Sequence, residues 1–176
     1  RRMRKRRGYM QYYEEIKEYL AKKGVADRQE LENAFPGAEL SPVLEQLLEN
    51  ADALLTRKKK YASLAYMNCL KGPLEIKRGG FGFVRVAEGG DIFVGAAQLG
   101  GAFHGETVLV KIRKEGERNR EGEVIRVLTP LPYRVTGTFE KTGNAAFVLC
   151  DNGITPDIYI PRQEFHGAKN GQKVLV

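Results

Sequence analysis

The second half of this sequence repeats itself at a nearly constant spacing. Five short segments recur in the same order, each about 65 residues further along the chain, and a fixed period of this kind predicts two copies of one small domain. The matched segments are Gly72–Glu75 with Gly137–Glu140, Phe83–Val84 with Phe147–Val148, Asp91–Val94 with Asp157–Ile160, Phe103–Gly105 with Phe165–Gly167, and Val108–Val110 with Val174–Val176.

Each copy suits a small β-barrel. It has about 60 residues, short strands, and a few helical residues after the third strand, which is typical of the five-stranded Greek-key barrel of the OB type. The second copy supplies four strands and lacks a fifth, and the sequence does not begin with Met. A barrel without its closing strand has exposed edges, so we expect the chain to be part of a longer protein. The predicted strands of the first copy are 72–77, 81–86, 91–94, 107–113 and 122–128.

The chain before residue 71 follows a helical pattern instead. One apolar face recurs at helical spacing, and Gly24 ends that first helix. Asp27 with Glu30 predicts a capping box at the start of a second helix. Ser41 followed by Pro42 predicts the N-cap and first turn of a third. The face of the first helix comprises Tyr12, Ile16, Tyr19 and Leu20.

Two short strands, 54–56 and 61–64, flank the basic run Arg57–Lys60, so three helices and a basic hairpin predict a winged helix. Its third helix has no Lys or Arg, and Glu45 and Glu49 would repel phosphates at a groove wall. Sequence-specific reading of duplex DNA by this helix is therefore not expected. The basic hairpin is a candidate phosphate contact, and the alternative is an ordinary polar hairpin tip.

The positive charge is concentrated at the start of the chain. The net charge is +7, and residues 1–7 alone contain six Arg or Lys and no acid. Such an arm favours a polyanion, because each bound Lys or Arg displaces a counterion; the alternative is a solvated tail without a partner. The predicted organisation is a basic arm 1–8, a winged helix 9–70, a first OB domain 71–130 and an incomplete second one 131–176, an α+β multidomain chain.

The composition excludes several other classes of protein. No apolar run approaches the roughly 18 residues of a membrane span, so no membrane partner is expected. Cys69, Cys150, His104 and His166 are too few for a disulfide framework or a spaced zinc site. We expect buried, reduced cysteines and a cytoplasmic location. The two histidines fall at the same repeat position, which favours a structural turn over acid–base catalysis.

The strongest chemical signal lies on the second and third predicted strands. Alternation places Phe81, Phe83 and Arg85 on the outer face, where Phe93 of the next strand joins them. Exposed rings flanked by cations form a stacking surface for single-stranded bases. The alternative is that the rings serve only as β-formers in a core. The flanking cations are Lys77, Arg78, Lys111 and Arg113.

These strands resemble the two RNA-binding motifs of cold-shock domains, K-G-F-G-F-I and V-F-V-H. The sequence departs from that pattern at Gly95, where the family usually has a stacking His. In the second copy the equivalent residues are Ala145, Phe147 and Tyr159, and Pro161 stands at the position that corresponds to Gly95. One aromatic is missing there, so we expect the second copy to bind RNA more weakly.

The order of these parts resembles the N-terminal region of ribonuclease R, of the ribonuclease II family. Ala102–Val108 is similar to the family's A-M-H-G-D-x-V, and Glu121–Leu128 follows in the family's order. Glu106 and Thr129-Pro130 depart from the pattern. The resemblance implies a 3′-to-5′ exoribonuclease that releases nucleoside 5′-monophosphates, with barrels that guide single-stranded RNA towards a separate catalytic domain containing aspartates and magnesium.

This chain itself is expected to bind RNA without cutting it, since its five Asp are scattered and two-metal chemistry needs converging carboxylates. No catalytic residue, metal ligand or cofactor is predicted within it. Structured RNA or the ribosome are further candidate partners. Two alternatives stay open, a free-standing RNA chaperone or translation-associated binder and a winged-helix DNA-binding regulator. The predicted RNA-binding residues are Phe81, Phe83, Phe93, Phe147 and Tyr159 for stacking, and Lys77, Arg78, Arg85, Lys111, Arg113, Arg57, Lys58, Lys59 and Lys60 for phosphates.

Overall fold

A computed structural model describes residues 8–116, 119–129, 134–153, 155 and 157–176. The chain divides into two compact units, Arg1–Leu70 and Lys71–Val176. Residues 1–7 of the predicted basic arm 1–8 lie outside the described residues.

Three helices and a small sheet make up the first unit. The helices are α1 (Tyr9–Lys23), α2 (Arg28–Ala34) and α3 (Leu40–Glu49). The strands are β1 (Val25–Ala26), β2 (Leu54–Leu55) and β3 (Tyr61–Ala62), and β3 lies between the other two. The predicted hairpin is thus present, whereas β1 was not predicted. Within the described part of the chain, no helix combines the length and apolar character needed to cross a bilayer.

The helix ends show which sequence signals were correct. Gly24 ends α1 with φ +92°, a conformation that favours glycine. At the start of α2, the Asp27 carboxylate accepts the Glu30 N–H and the Glu30 carboxylate accepts the Asp27 N–H, both at 2.8 Å, which confirms the capping box.

The predicted N-cap of α3 is wrong. The helix begins at Leu40, and its N-cap, Glu39, makes no side-chain hydrogen bond. Leu40 is buried in the core, so packing extends the helix past the polar signal. The Ser41 hydroxyl accepts a hydrogen bond from Arg28 at 2.8 Å instead. Pro42 is tolerated because first-turn N–H groups have no partner within a helix.

The core of the first unit lies between the three helices. Tyr12 and Tyr19 of the predicted α1 face are only half-buried, whereas Tyr13 is buried. The Tyr13 hydroxyl donates to the Asp52 carboxylate at 2.5 Å. Burial and this hydrogen bond raise the pKa of Tyr13 to about 12. The buried core comprises Tyr13, Ile16, Leu20, Ala26, Leu31, Leu40, Val43, Leu44, Leu47 and Ala53.

A closed five-stranded barrel begins the second unit. Its strands follow the order β4-β5-β6-β8-β7, antiparallel except for the parallel pair β6 and β8. This is the OB-type arrangement that the sequence predicts. The strands are β4 (Cys69–Ile76), β5 (Gly82–Val84), β6 (Ile92–Val94), β7 (Thr107–Glu115) and β8 (Arg120–Thr129).

A four-stranded antiparallel sheet follows, with the order β11-β10-β9-β12. This order matches β6-β5-β4-β7 of the barrel. Phe139, Ala146 and Val148 form its buried centre. The strands are β9 (Thr136–Thr142), β10 (Ala145–Cys150), β11 (Ile158–Pro161) and β12 (Lys173–Leu175).

Backbone hydrogen bonds of the barrel recur in this sheet at the spacing of the sequence repeat. Leu74 donates to Glu106 at 2.9 Å and accepts from Gly105 at 2.7 Å. Phe139 donates to Gln172 at 2.9 Å and accepts from Gly171 at 2.8 Å. The sequence repeat therefore corresponds to a repeat of local structure.

The prediction that His104 and His166 fall at the same repeat position is wrong. The Ile76 N–H donates to Nδ1 of His104 at 3.0 Å. The counterpart of this bond in the second sheet runs from the Lys141 N–H to Oδ1 of Asn170 at 2.7 Å. Asn170 is thus the counterpart of His104, and His166 lies four residues before it. The segment around His104 recurs at a shorter distance than the other four segments, which was the signal of this mismatch.

Candidate nucleic-acid interface

Strands β5 and β6 bring three phenylalanine rings together on the outside of the barrel. Phe83 and Phe93 lie opposite each other in the strand register. Their ring centroids are 5.7 Å apart, and Phe81 lies 5.9 Å from Phe83 and 5.8 Å from Phe93. All three side chains are half-buried. We call Phe81, Phe83 and Phe93 the Phe platform.

The alternation of β5 explains why the rings face outward. Gly82 and Val84 are buried, so the residues between and beside them lie on the opposite face. Gly82 also lies against β4, where a Cβ atom would meet the Glu75 carbonyl oxygen at 3.0 Å. Gly80, with φ +87°, provides the left-handed turn immediately before Phe81.

An acidic residue lies beside the platform, between two of the predicted phosphate-binding cations. Glu75 is opposite Phe83 in the register. Its carboxylate binds Lys77 at 2.5 Å and Arg85 at 2.9 Å. The hydrogen bond from Lys77, followed by the contribution of Arg85, lowers the pKa of Glu75. Two of the predicted phosphate ligands thus lie at the platform, where they share one carboxylate.

The other side of the platform is formed by β7 and β8. Glu121 lies opposite Phe93 in the register, and Lys111 lies opposite Glu123. Arg113 donates to the Glu123 carboxylate through Nε at 2.8 Å, and a terminal nitrogen of its guanidinium lies 2.7 Å from the same carboxylate oxygen. Arg78 is exposed in the turn after β4. The structure therefore brings Lys111 and Arg113 to one side of the rings, again beside carboxylates.

A cleft of about 330 Å³ opens next to the Phe93 ring. Gln98, at the end of a short 3-10 helix (Ala96–Gln98), contributes to its lining. The sequence reasoning missed this residue, because Gly95 was interpreted only as the loss of a stacking side chain. The cleft is lined by Phe93, Gly95, Gln98, Arg113, Glu121, Gly122 and Glu123.

The second sheet has a smaller aromatic pair. Phe147 and Tyr159 lie opposite each other in the register, with ring centroids 5.7 Å apart. Tyr159 is 58% exposed and Phe147 is 38% exposed. Ala145 lies opposite Pro161, so no third ring extends this pair among the described residues of the two strands.

The predicted basic hairpin belongs to the first unit. Arg57–Lys60 is exposed between β2 and β3, and Lys59 has a left-handed φ of +59°. Glu45 and Glu49 are exposed on α3, as the helix periodicity indicates. Among the described residues, no group of three His, Cys, Asp or Glu side chains could hold a metal ion.

Comparison with known proteins by sequence points to one family. Residues 72–127 match the family model of the ribonuclease B OB domain. The chain is 30% identical to ribonuclease R of Escherichia coli (strain K12) over 137 residues, which are 76% of this chain and 17% of that protein. The chain thus spans about a sixth of the length of that relative.

Two solved structures show weaker likeness. Yeast Ssd1, described as a pseudonuclease, has a TM-score of 0.49 and 15% identity, over 73% of this chain and 19% of that one. Ribonuclease R of Mycoplasma genitalium, in complex with ribose-methylated single-stranded RNA, has a TM-score of 0.38 and 18% identity, over 55% and 15% of the two chains.

Proposed function

This chain belongs to the ribonuclease R (RNB) family, as an N-terminal region with an OB domain, and we propose that it binds single-stranded RNA on the Phe platform. The observation that carries the proposal is the cluster of three rings on the outer face of the barrel. Base–aromatic stacking contributes roughly 1–3 kcal/mol per base and tolerates any sequence, which suits a surface that guides RNA of varied sequence.

The cations at the platform contact the RNA backbone in this proposal. Lys77 and Arg85 lie within reach of the rings through their shared partner Glu75, and Arg113 and Lys111 lie on the opposite side. Such contacts make binding sensitive to salt, because each phosphate contact releases counterions.

The sheet of β9 to β12 acts as a second, cold-shock-like OB unit in this account. Its strand order, which matches four strands of the barrel, supports this assignment. Phe147 and Tyr159 stack bases there, and the lack of a third ring makes this site the weaker one.

The first unit acts as a winged helix that touches phosphates. Its three helices and its three-stranded sheet support this assignment. The contacts are made by the exposed hairpin tip and by the basic arm, residues 1–8. Structured RNA or the ribosome are further partners that such a basic surface suits.

The parent protein is, in this proposal, a cytoplasmic exoribonuclease that degrades RNA from the 3′ end and releases nucleoside 5′-monophosphates. Magnesium bound by a separate catalytic domain would supply the metal for phosphodiester hydrolysis. The residues described in this chain do not provide a ligand set for it, and their part is to bind and orient the RNA strand.

The double variant Phe81→Ala with Phe83→Ala tests the proposal. We expect single-strand RNA binding to weaken by roughly 2–5 kcal/mol, because two stacking rings are lost. Fluorescence anisotropy with a labelled single-stranded RNA measures the affinity, and circular dichroism checks the fold. The matched control is Phe103→Ala, which removes an exposed ring outside the platform. Unchanged affinity in a folded double variant, or equal weakening in the control, would contradict the proposal.

A further inference from the structure

The backbone conformation of Gly95 does not require glycine, but its missing side chain leaves space that Gln98 occupies. Its φ of −63° and ψ of +156° are open to any residue. A Cβ atom at this position, however, would lie 2.5 Å from Oε1 of Gln98. The absence of a side chain at 95 therefore makes room for the side chain of Gln98.

The backbone of Gln98 is anchored close to the platform. Its backbone N–H donates to the Gly95 carbonyl at 2.9 Å, which closes the turn after β6. Residues 93 and 95 lie on the same face, because side chains alternate along a strand. The Gln98 amide thus lies where a side chain of residue 95 would lie, in the same cleft as the Phe93 ring.

The opposite wall of this cleft is acidic. Glu121 is exposed and lies directly opposite Phe93 in the register. The neighbouring Glu123 is paired with Arg113, which donates a hydrogen bond to it through Nε and forms an ion pair with it. A base stacked on Phe93 therefore meets an amide group on one side and a carboxylate on the other.

We propose that Gln98 and Glu121 read the edge of the base stacked on Phe93 and select adenine over uracil at that position. This inference rests on the proposed function. A Gln amide can bind the adjacent N6 donor and N7 acceptor of adenine with two hydrogen bonds. The carboxylate accepts from an exocyclic amino group, whereas it repels the O4 carbonyl of uracil. Cytosine, which has an amino group, ranks between them.

The second sheet lacks this arrangement. At the repeat spacing that relates His104 to Asn170, Pro161 replaces Gly95 and Glu164 replaces Gln98. The Glu164 carboxylate lies 3.1 Å from Nε2 of His166. The adenine subsite is therefore confined to the barrel, and the exposed Gln163 in the equivalent turn offers a matched control.

The test measures the affinities of the whole chain for the oligonucleotides rA8 and rU8. We expect the affinity for rA8 relative to that for rU8 to fall about fivefold or more in Gln98→Ala, the size of one lost bidentate contact. Gly95→Ala should lower the ratio similarly, because the added methyl displaces the amide. Gln163→Ala should keep the wild-type ratio.

The outcomes separate this inference from the function it rests on. If the ratio is unchanged in both Gln98→Ala and Gly95→Ala, base reading at this cleft is overturned. Phe93→Ala should weaken the binding of both rA8 and rU8. If it does so while Gln98→Ala leaves the ratio of the two affinities unchanged, RNA binding on the platform stands without the subsite. If Phe93→Ala leaves both affinities intact, the platform assignment itself is contradicted.

Discussion

At the scale of single residues, two of the cations beside the platform already have a carboxylate partner. Glu75 binds both Lys77 and Arg85, and its pKa is lowered, so it is ionised at neutral pH. In the proposed function, phosphates of a bound RNA share these cations with the carboxylate. The proposal therefore implies that Glu75 limits the affinity for RNA, since it is paired with two long side chains beside the rings.

Glu75→Gln should strengthen single-strand RNA binding. The change removes a negative charge near the phosphates and frees two cations, which we expect to raise affinity about threefold to tenfold at low salt. The gain should shrink as salt increases, since exposed charges are screened. Anisotropy titrations at two salt concentrations measure both effects.

The control for this prediction is Glu32→Gln, which likewise removes the carboxylate partner of an arginine, Arg28, but does so in the first unit. Weaker binding in Glu75→Gln would mean that the carboxylate's ordering of the cations matters more than its charge. That result would overturn the competition described here.

At the scale of elements, the repeat accounts for two glycines that lie within strands and not in turns. Gly72 and Gly137 occupy the first strands of the barrel and of the second sheet, one repeat apart. A Cβ atom would lie 2.0 Å from the Arg85 carbonyl oxygen at Gly72, and 2.5 Å from that of Leu149 at Gly137. Both first strands therefore need glycine where the second strand crosses closely.

Gly72→Ala should destabilise the barrel by about 1–3 kcal/mol or more, because the clashing atom belongs to the backbone and cannot rotate away. Thermal unfolding together with faster hydrogen exchange in β4 and β5 would show the loss. Gly8→Ala is the control, since nothing lies within 4 Å of its added Cβ atom. Equal stability of the two variants would mean that the strands separate at little cost.

The sequence predicted elements well where a pattern is long. The near-constant repeat spacing and the alternation of apolar residues predicted the five barrel strands and their outer face. Short signals were less reliable. Ser41-Pro42 resembled a cap, but burial of Leu40 set the start of α3. A three-residue match wrongly paired His166 with His104. Gln98 was not predicted, because its position in the cleft depends on the space left at Gly95.

At the scale of the whole molecule, the aromatic surfaces and much of the positive charge stand in different parts of the chain. The aromatic surfaces lie in the second unit, whereas six of the basic residues stand in positions 1–7. The arm, if bound, adds salt-dependent affinity for any polyanion. In the proposed function, the rings add affinity only for unpaired bases, because stacked bases in a duplex have no free face. The preference of the chain for single-stranded over double-stranded nucleic acid therefore measures the contribution of the rings to binding.

The most direct test of this account is binding of the whole chain to three labelled ligands at two salt concentrations. The ligands are an RNA duplex with a single-stranded 3′ overhang, a blunt RNA duplex and a DNA duplex. The account predicts clear preference for the overhang, retained at the higher salt, because stacking on the Phe platform does not depend on ions. Equal or tighter binding to duplex DNA would contradict it and would favour the winged helix as the main binding surface.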